Sequence, residues 1–80
     1  MKASELFAKA TMHVVRKGRN VKYIGWCDGY ILVRFQHPAL YIYGPNVPEL
    51  KLTQILNNPY PDALFNRAIK NKFQCFKAAA

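Results

Sequence analysis

Hydrophobic and polar positions alternate through the middle of the chain as they do in β-strands. β-branched and aromatic residues run from 21 to 27 and from 30 to 35, and Asp28-Gly29 separates the two runs. This dipeptide is typical of a type I′ hairpin turn, because both residues accept the positive φ angles that such a turn requires. The pattern therefore predicts a β-hairpin over 21–35.

A third run of strand-forming residues covers 40–43. Residues 36–39, with the sequence Gln-His-Pro-Ala, separate it from the hairpin and predict a second chain reversal. Pro45 and Pro48 follow this run, and a strand ends there because proline has no amide hydrogen for the sheet ladder. The sequence thus predicts three antiparallel strands joined as a meander.

The two-residue turn also predicts which residues lie opposite each other. It pairs Trp26 with Ile31, and facing residues share one side of a sheet. If the second loop likewise pairs Phe35 with Leu40, one face is apolar apart from Lys22 and forms the predicted core. Its members are Ile24, Trp26, Ile31, Val33, Phe35, Leu40 and Ile42. The opposite face is rich in tyrosine and consists of Tyr23, Cys27, Tyr30, Leu32, Arg34, Tyr41 and Tyr43.

Residues 4–17 carry apolar side chains at helical spacing, followed by Gly18, which is typical of a helix end. The apolar stripe consists of Leu6, Phe7, Ala10 and Val14. This pattern predicts an N-terminal helix over 4–17. The alternative is a strand through 12–15, because Val14 and Val15 are β-branched and favour a helix weakly at best.

Two further helices are predicted after the meander. Pro48 at a first helical position and Glu49 beside it open a short helix that ends near Asn57. Asp62 opens a last helix that reaches Lys77. Its apolar stripe consists of Phe65, Ala68, Ile69, Phe73 and Phe76. The predicted fold is therefore α+β, one domain over 1–77 with an N-terminal helix, a three-stranded meander and two C-terminal helices, and 78–80 form a tail outside it.

The composition limits the possible classes of protein. A chain of 80 residues holds one domain with one small core. Hydrophobic residues make up 51% and aromatic residues 14%, which is too much for a disordered polycation. No apolar run approaches the roughly 18 residues of a membrane span, and charged residues interrupt the N-terminus where a signal peptide is apolar. We expect a cytoplasmic monomer.

Side chains for catalysis or metal binding do not form a recognisable set in the sequence. A helix start or the hairpin turn explains each of the four carboxylates, which are Glu5, Asp28, Glu49 and Asp62. His13 and His37 stand alone, and Cys27 and Cys75 lack metal-ligand spacing and are expected to be reduced thiols. No glycine-rich phosphate loop occurs. We therefore predict a protein that is not an enzyme and that uses no metal or cofactor.

Short motifs between Val21 and Phe73 occur in the order and at the spacing of a known family. They are Ile24-Gly25-Trp26, Ile31-Leu32-Val33-Arg34-Phe35, Tyr41-Ile42-Tyr43, Val47-Pro48, and Phe65-Asn66 followed by Ile69 and Phe73. In these motifs, which span about two thirds of the chain, the sequence resembles the KTSC domain. That domain occurs at the C-terminus of some lysyl-tRNA synthetases and as stand-alone bacterial and phage proteins.

Two positions depart from the pattern of the family. Tyr60-Pro61-Asp62 stands where the family has Ser-x-Gly, and His37-Pro38 replaces the glycine of the second hairpin turn. The chain is therefore identified as a divergent member. The resemblance implies a small β-meander followed by two helices, a link to RNA, and no catalytic activity.

The charge of the chain favours anionic partners. Lys and Arg number 12 against four Asp and Glu, which gives a formal net charge of +8, and such a charge attracts phosphate backbones. The candidate binding residues are Lys9, Arg16, Lys17, Arg19, Arg34, Tyr41, Tyr43, Arg67, Lys70 and Lys77. The tyrosines around Arg34 form a platform for stacked bases, unless the N-terminal helix covers that face with Leu6, Phe7 and Val14.

Two functions fit these observations. The first is a module that binds nucleic acid, as RNA or single strands, through phosphate contacts. The second is a phage or bacterial regulator that docks on an acidic surface of a host protein machine such as RNA polymerase. The charge favours the first, and a short chain with a tyrosine-rich surface suits the second equally well.

Overall fold

An antiparallel sheet of five strands forms the centre of this α+β chain in a computed structural model, which describes residues 3–36 and 39–78. The elements are α1 (Ala3–Lys9), β1 (His13–Val14), β2 (Val21–Cys27), β3 (Tyr30–Phe35), β4 (Leu40–Tyr43), α2 (Leu50–Asn57), α3 (Pro61–Phe65), a π-helical turn (Asn66–Lys70) and β5 (Cys75–Ala78). The strands lie in chain order from β1 to β5. The predicted count of three strands is therefore wrong. None of the helices in the described ranges has the length and apolar character of a membrane span.

The β2–β3 hairpin has the predicted turn and register. Asp28 and Gly29 adopt φ angles of 50° and 86°, and Trp26 lies opposite Ile31. A bulge between Val21 and Tyr23 shifts the register at the start of β2, so that Val21 lies opposite Phe35. Lys22, the one charged residue of the predicted apolar face, donates from Nζ to the carbonyl oxygen of Gly18 at 3.2 Å.

The register between β3 and β4 differs by one residue from the predicted one. Leu40 lies opposite Arg34 rather than Phe35. Because side chains alternate between the faces, this shift exchanges the faces of the whole strand. Tyr41 and Tyr43 therefore share the face of Phe35, whereas Leu40 and Ile42 lie on the other. Residues 37 and 38 of the predicted reversal lie outside the described residues.

The N-terminal helix ends at Lys9, so the prediction of a helix over 4–17 is wrong and the alternative of a strand is confirmed. Val14 of β1 lies opposite Tyr23, and the amide of Val15 donates to the carbonyl oxygen of Lys22 at 2.8 Å. Val14 and Val15 are β-branched and pair here with β2. This strand pairing stabilises them more than a helix would, because β-branched residues favour strands.

The last predicted helix is also shorter than expected. It spans Pro61–Phe65 and continues as a π-helical turn to Lys70. The chain then returns as β5, which pairs with β4 and places Ala78 opposite Leu40. Ala78 is thus part of the sheet and not of a tail, while 79 and 80 lie outside the described residues. The open edge of β4 has backbone groups that need partners, and β5 supplies them.

Each face of the sheet has its own hydrophobic cluster, so the prediction of one core is wrong. The cluster beneath α2 and α3 consists of Val15, Val21, Ile24, Ile31, Val33, Phe35, Tyr43, Val47, Leu52, Ile55, Phe65, Ala68 and Ile69. The cluster beneath α1 consists of Leu6, Cys27, Leu32 and Ile42. Trp26 and Phe73, predicted in the core, are half-buried and pack against the first cluster. The Nε1 group of Trp26 donates to the carbonyl oxygen of Val47 at 2.6 Å.

Candidate functional site

The loop between β1 and β2, residues 15–20, carries three of the predicted basic residues and is called the basic loop below. Asp62, in the first turn of α3, fixes the C-terminal end of the basic loop. The carboxylate accepts hydrogen bonds from the amides of Arg19 at 2.7 Å, Asn20 at 3.2 Å and Val21 at 3.1 Å. These three bonds attach the loop to the start of α3 over more than 40 residues of sequence.

The same bonds determine the charge of Asp62. Burial raises the pKa of the carboxyl, but the hydrogen bonds from the three amides, together with the charge of Lys22, outweigh burial and hold the pKa below its usual value. The carboxylate is therefore ionised at neutral pH while its oxygen atoms are occupied by backbone donors. Within the described ranges, Arg16, Lys17 and Arg19 form no ion pair with it or with another carboxylate.

Gly18 allows the basic loop to turn tightly. A Cβ atom at this position would collide with the carbonyl oxygen of Val21 and would lie 2.9 Å from Cγ1 of Val15. The amide of Gly18 donates to the carbonyl oxygen of Val15 at 3.1 Å. This hydrogen bond forms a tight turn over residues 15–18, and the side chains of Arg16 and Lys17 within the turn are exposed.

The turn between α2 and α3 lies beside the basic loop and adds amide and aromatic groups. Arg16 and Lys17 border a depression that is also lined by Asn57 and Asn58. Lys17 borders a second depression together with Tyr60. The Tyr60 side chain is 74% exposed, and its amide donates to Oδ1 of Asn58 at 2.7 Å. Cations, amides and an exposed ring therefore meet on one surface.

A second feature, the tyrosine cleft, lies between the sheet and the π-helical turn. It has a volume of about 390 Å³ and is lined by Asn20, Phe35, Tyr41, Tyr43, Asn66, Lys70 and Cys75. The cleft adjoins the basic loop, because Asn20, the last residue of the loop, also lines the cleft. Among the described residues no carboxylate lines it.

Aromatic residues line the sheet side of the tyrosine cleft and pack against one another. The Phe35 ring packs edge to face against Tyr41, with centroids 5.2 Å apart, and against Phe65 at 5.9 Å. Tyr43 packs against Phe65 in the same manner at 5.2 Å. Each such pair contributes about 0.5–1.5 kcal/mol beyond the burial of area. Tyr41, at the outer end of this row, is half-buried, whereas Tyr43 is 3% exposed.

The hydroxyl of Tyr43 lies next to the thiol of Cys75. Burial, followed by the hydrogen bond with Cys75 and the neighbouring Tyr41, raises the pKa of Tyr43 far above its usual value. Cys75 itself is a free and exposed thiol, whereas Cys27 is free and buried. Tyr43 is therefore a neutral hydrogen-bonding group at every physiological pH.

The structure brings some of the predicted site residues together and separates others. Arg16, Lys17 and Arg19 share the basic loop, and Lys70 lines the tyrosine cleft with Tyr41 and Tyr43. Lys77 of β5 lies opposite Tyr41 and thus on the same face of the sheet. Arg67 is exposed on the π-helical turn, whereas Lys77 lies on β5, so the two residues do not share the predicted last helix.

Arg34 and Lys9 lie apart from these two features. Arg34 is exposed on the opposite face of the sheet from Phe35, because it neighbours Phe35 in the same strand. Lys9 borders a depression that it shares with the carboxylates of Asp28 and Glu49. Two carboxylates thus lie near Lys9, whereas Asp62 is the one carboxylate that lines a depression with Lys17 and Arg19 among the described residues.

The predicted tyrosine platform around Arg34 is wrong, because the register shift moves Tyr41 and Tyr43 to the other face. The alternative, a face covered by α1, holds in part: Leu6 is buried against that face and Phe7 packs beside it. Val14, expected to help cover the face, is 60% exposed. Tyr23 remains 42% exposed there.

Several residues of the two features are not among the predicted binding residues. They are Asn20, Phe35, Asn66 and Cys75 of the cleft, and Asn57, Asn58 and Tyr60 of the turn beside the basic loop. Two asparagines and a tyrosine lie in the proline-containing segment 57–61, whose sequence predicts a helix break. Such turns expose polar and aromatic groups, so the composition of this segment is a usable signal. Which part of the chain it approaches depends on tertiary packing.

The described residues show little that would support catalysis or metal binding. No three His, Cys, Asp or Glu side chains among residues 3–36 and 39–78 are arranged to hold a metal ion. Burial, the charge of Asp28 and a hydrogen bond with it raise the pKa of the Cys27 thiol, which disfavours its nucleophilic thiolate form.

Comparison with known proteins gives no family for the chain. No family model matches the sequence, and no curated protein is significantly similar to it. The resemblance to the KTSC domain therefore stays a prediction that rests on the motifs themselves. The function is therefore inferred from two structural features, the basic loop and the tyrosine cleft.

Proposed function

We propose that the protein binds single-stranded nucleic acid and that its basic loop holds the phosphate groups. The arrangement around Asp62 carries this proposal. The carboxylate is occupied by three backbone amides, so in the described part of the chain Arg16, Lys17 and Arg19 have no carboxylate partner. Cations on a fixed loop that form no direct ion pair suit a phosphate backbone, because binding there releases the counterions of the nucleic acid.

The surroundings of the basic loop favour a single strand over a duplex. Tyr60 offers an exposed ring on which a base can stack, and stacking tolerates any base because every base has a π face. Asn57 and Asn58 add donors and acceptors beside it. The resemblance to the KTSC domain implies a link to RNA, so RNA is the strand to test first.

The proposal is tested by the salt dependence of binding. We expect the full chain to bind a fluorescent single-stranded RNA of mixed sequence, with an affinity that falls steeply as NaCl is raised. Replacing Arg16, Lys17 and Arg19 by Gln should lower the slope of log K against log salt by roughly 0.7 for each phosphate interaction that the substitution removes, or about 2 in total. Circular dichroism should show that the variant is folded, since all three side chains are exposed.

A control variant removes the same charge elsewhere. Lys9, Lys51 and Lys72 lie outside the basic loop, and their replacement by Gln leaves the same net charge as the loop variant. We expect the control to change the slope much less. An equal change would contradict a localised site, and the absence of RNA binding at about 50 mM salt, where screening is weak, would contradict the proposal and favour docking on an acidic protein surface.

A further inference from the structure

We propose that the tyrosine cleft receives one nucleobase of the bound strand, so that the protein holds bases as well as phosphates. This inference rests on the proposed function and adds a second site to it. Beside the basic loop the exposed ring of Tyr60 lies on an open surface, whereas the cleft combines rings, amides and one ammonium group in one cavity. The two features adjoin at Arg19 and Asn20, which are consecutive residues, so a strand that leaves the loop reaches the cleft directly.

The size and lining of the cleft suit a planar heterocycle. Its volume of about 390 Å³ lies near the lower end of the range of roughly 300–1,000 Å³ for sites that bind small molecules. Tyr41 is half-buried and lines the cleft together with Phe35, whose buried ring packs edge to face against it. An aromatic wall with accessible π surface is the usual support for an unstacked base.

The polar groups of the cleft suit the edge of a base and the phosphate attached to it. Asn20 and Asn66 each offer an amide that donates and accepts, which matches the paired donors and acceptors on a base edge. Lys70 offers an ammonium group in the same cleft, and Lys77 lies opposite Tyr41 in the neighbouring strand. Since no carboxylate lines the cleft among the described residues, an anionic nucleotide meets no repulsion there.

The lining is held in place before any ligand binds. The amide of Asn20 donates to Asp62, and its carbonyl oxygen accepts from the amide of Gln36 at 2.7 Å, so the backbone that carries the Asn20 side chain is fixed on both sides. The π-helical turn places Asn66 and Lys70 at the same cleft, and such turns occur frequently at functional sites. A site that is already ordered loses little entropy on binding.

Strands with and without bases separate this inference from the proposed function. We expect a single-stranded RNA to bind about 5- to 150-fold more tightly than an abasic strand of equal length and charge, the range that one stacked base provides. Both strands should show the salt dependence of the basic loop. Replacing the exposed Asn66 by Ala should reduce the preference for the strand with bases, while Asn71→Ala, an exposed asparagine outside the cleft, should leave it unchanged.

Cys75 provides a probe inside the cleft. Its thiol is exposed and lines the cleft, whereas Cys27 is buried, so alkylation of the native protein by iodoacetamide should occur at Cys75. We expect saturating RNA to slow this alkylation at least fivefold and the abasic strand to leave its rate unchanged. The alkylated position is identified by peptide mass spectrometry, which also distinguishes the two thiols.

The outcomes have different meanings. If RNA binds with the expected salt dependence but leaves Cys75 fully reactive, the inference about the cleft is overturned and the proposed function stands. If the abasic strand protects Cys75 equally well, the backbone rather than a base occupies the cleft, which also overturns the inference. If neither strand binds, the proposed function fails and the inference fails with it.

Discussion

Asp62 is the residue on which the position of the basic loop depends. Its carboxylate accepts three backbone hydrogen bonds from residues 19–21, and each hydrogen bond to a charged group is worth about 1.5–3 kcal/mol. Because the site is partly exposed and water replaces part of the loss, we expect Asp62→Ala to lower the free energy of unfolding by about 2–3 kcal/mol in total. Urea denaturation at pH 7 measures this loss.

The pH dependence of that loss tests its cause. The pKa of Asp62 is lowered in the folded protein, so its stabilising effect is fully present above the unfolded value of about 4 and is lost as the pH falls toward the folded value. The difference in stability between the parent and Asp62→Ala should therefore shrink between pH 5 and pH 2. Glu5→Gln, at an exposed carboxylate, serves as the control. If the difference in unfolding free energy between the parent and Asp62→Ala stays constant with pH, the ionised carboxylate is not what stabilises the loop.

Tyr43 predicts the opposite pH dependence. Its pKa is raised in the folded protein by burial and by the hydrogen bond with Cys75, so the protonated phenol stabilises the fold fully below the unfolded pKa of about 10 and less as the pH rises above it. Tyr43→Phe should cost about 1 kcal/mol at pH 8, and this difference should vanish or reverse near pH 11. Tyr60→Phe, at an exposed tyrosine, should match the parent at both values when unfolding in urea is measured.

At the scale of elements, the sequence predicts the β2–β3 hairpin correctly from its turn to the pairing of Tyr23 with Arg34, and only the bulge beyond Tyr23 is missed. A two-residue turn of Asp28-Gly29 determines both the reversal and the register, because the geometry is local and contained in the dipeptide. The four-residue reversal at 36–39 has no comparable restriction. A shift of one residue there is enough to exchange the faces of Tyr41 and Ile42, and with them the predicted binding platform.

Gly29→Val tests the turn of this hairpin. Gly29 has a φ of 86°, and an added Cβ atom would lie 3.2 Å from the amide nitrogen of Asn46. A β-branched residue in this conformation costs about 1–3 kcal/mol, so the midpoint of urea unfolding should fall accordingly. Asp28→Asn is the matched control, because asparagine tolerates the left-handed conformation that Asp28 adopts. Equal midpoints for Gly29→Val and the parent would contradict the positive φ angle assigned to Gly29 in this turn.

The errors at the two ends of the chain have a common physical cause. The stripe of Phe65, Ile69 and Phe73 fits a helix, yet the segment after Lys70 pairs with β4 instead. Short apolar segments fit a helix or a strand equally well, and an unpaired sheet edge decides between them. Because the edge of β4 is distant in sequence, local spacing does not reveal it. The same applies to β1, which gains its partner in β2.

The sequence predicts several residues of the candidate site but not how the fold brings them together. Composition and charge identify the basic residues of 16–19 and the tyrosines at 41 and 43. Their grouping depends on Asp62, whose predicted place is a helix start but which holds the basic loop as well. A carboxylate that bonds backbone amides some 40 residues away leaves no pattern in the sequence. Asn20 likewise belongs to the basic loop and lines the tyrosine cleft, and this position depends on its distant hydrogen bond with Asp62.

At the scale of the whole molecule, helices pack against both faces of the sheet although the chain is short. The α1 helix covers part of one face through Leu6, and α2 and α3 cover the other through Ile55 and Phe65. The polar and charged residues are consequently left at the surface, and among the described residues no residue of the polar or charged types is buried. The positive charges therefore lie at the surface, where they repel one another.

This repulsion makes the stability of the molecule depend on salt. The formal net charge is +8, and in the described ranges no arginine forms an ion pair, so folding brings uncompensated charges together. Raising NaCl from about 20 to 300 mM shortens the Debye length to below about 10 Å. Screening should stabilise the fold by on the order of 1 kcal/mol, which raises the melting temperature of a domain of this size by about 4–8 °C.

The variant with Gln at Arg16, Lys17 and Arg19 distinguishes this repulsion from other effects of salt. If the basic loop is a site of uncompensated charge, the variant should melt at a higher temperature than the parent at low salt and should gain less from added NaCl. Chloride is preferable to sulfate in this measurement, because sulfate also strengthens hydrophobic burial. A variant that melts below the parent at low salt would mean that these side chains stabilise the fold, and that their charge is not held available for a phosphate backbone.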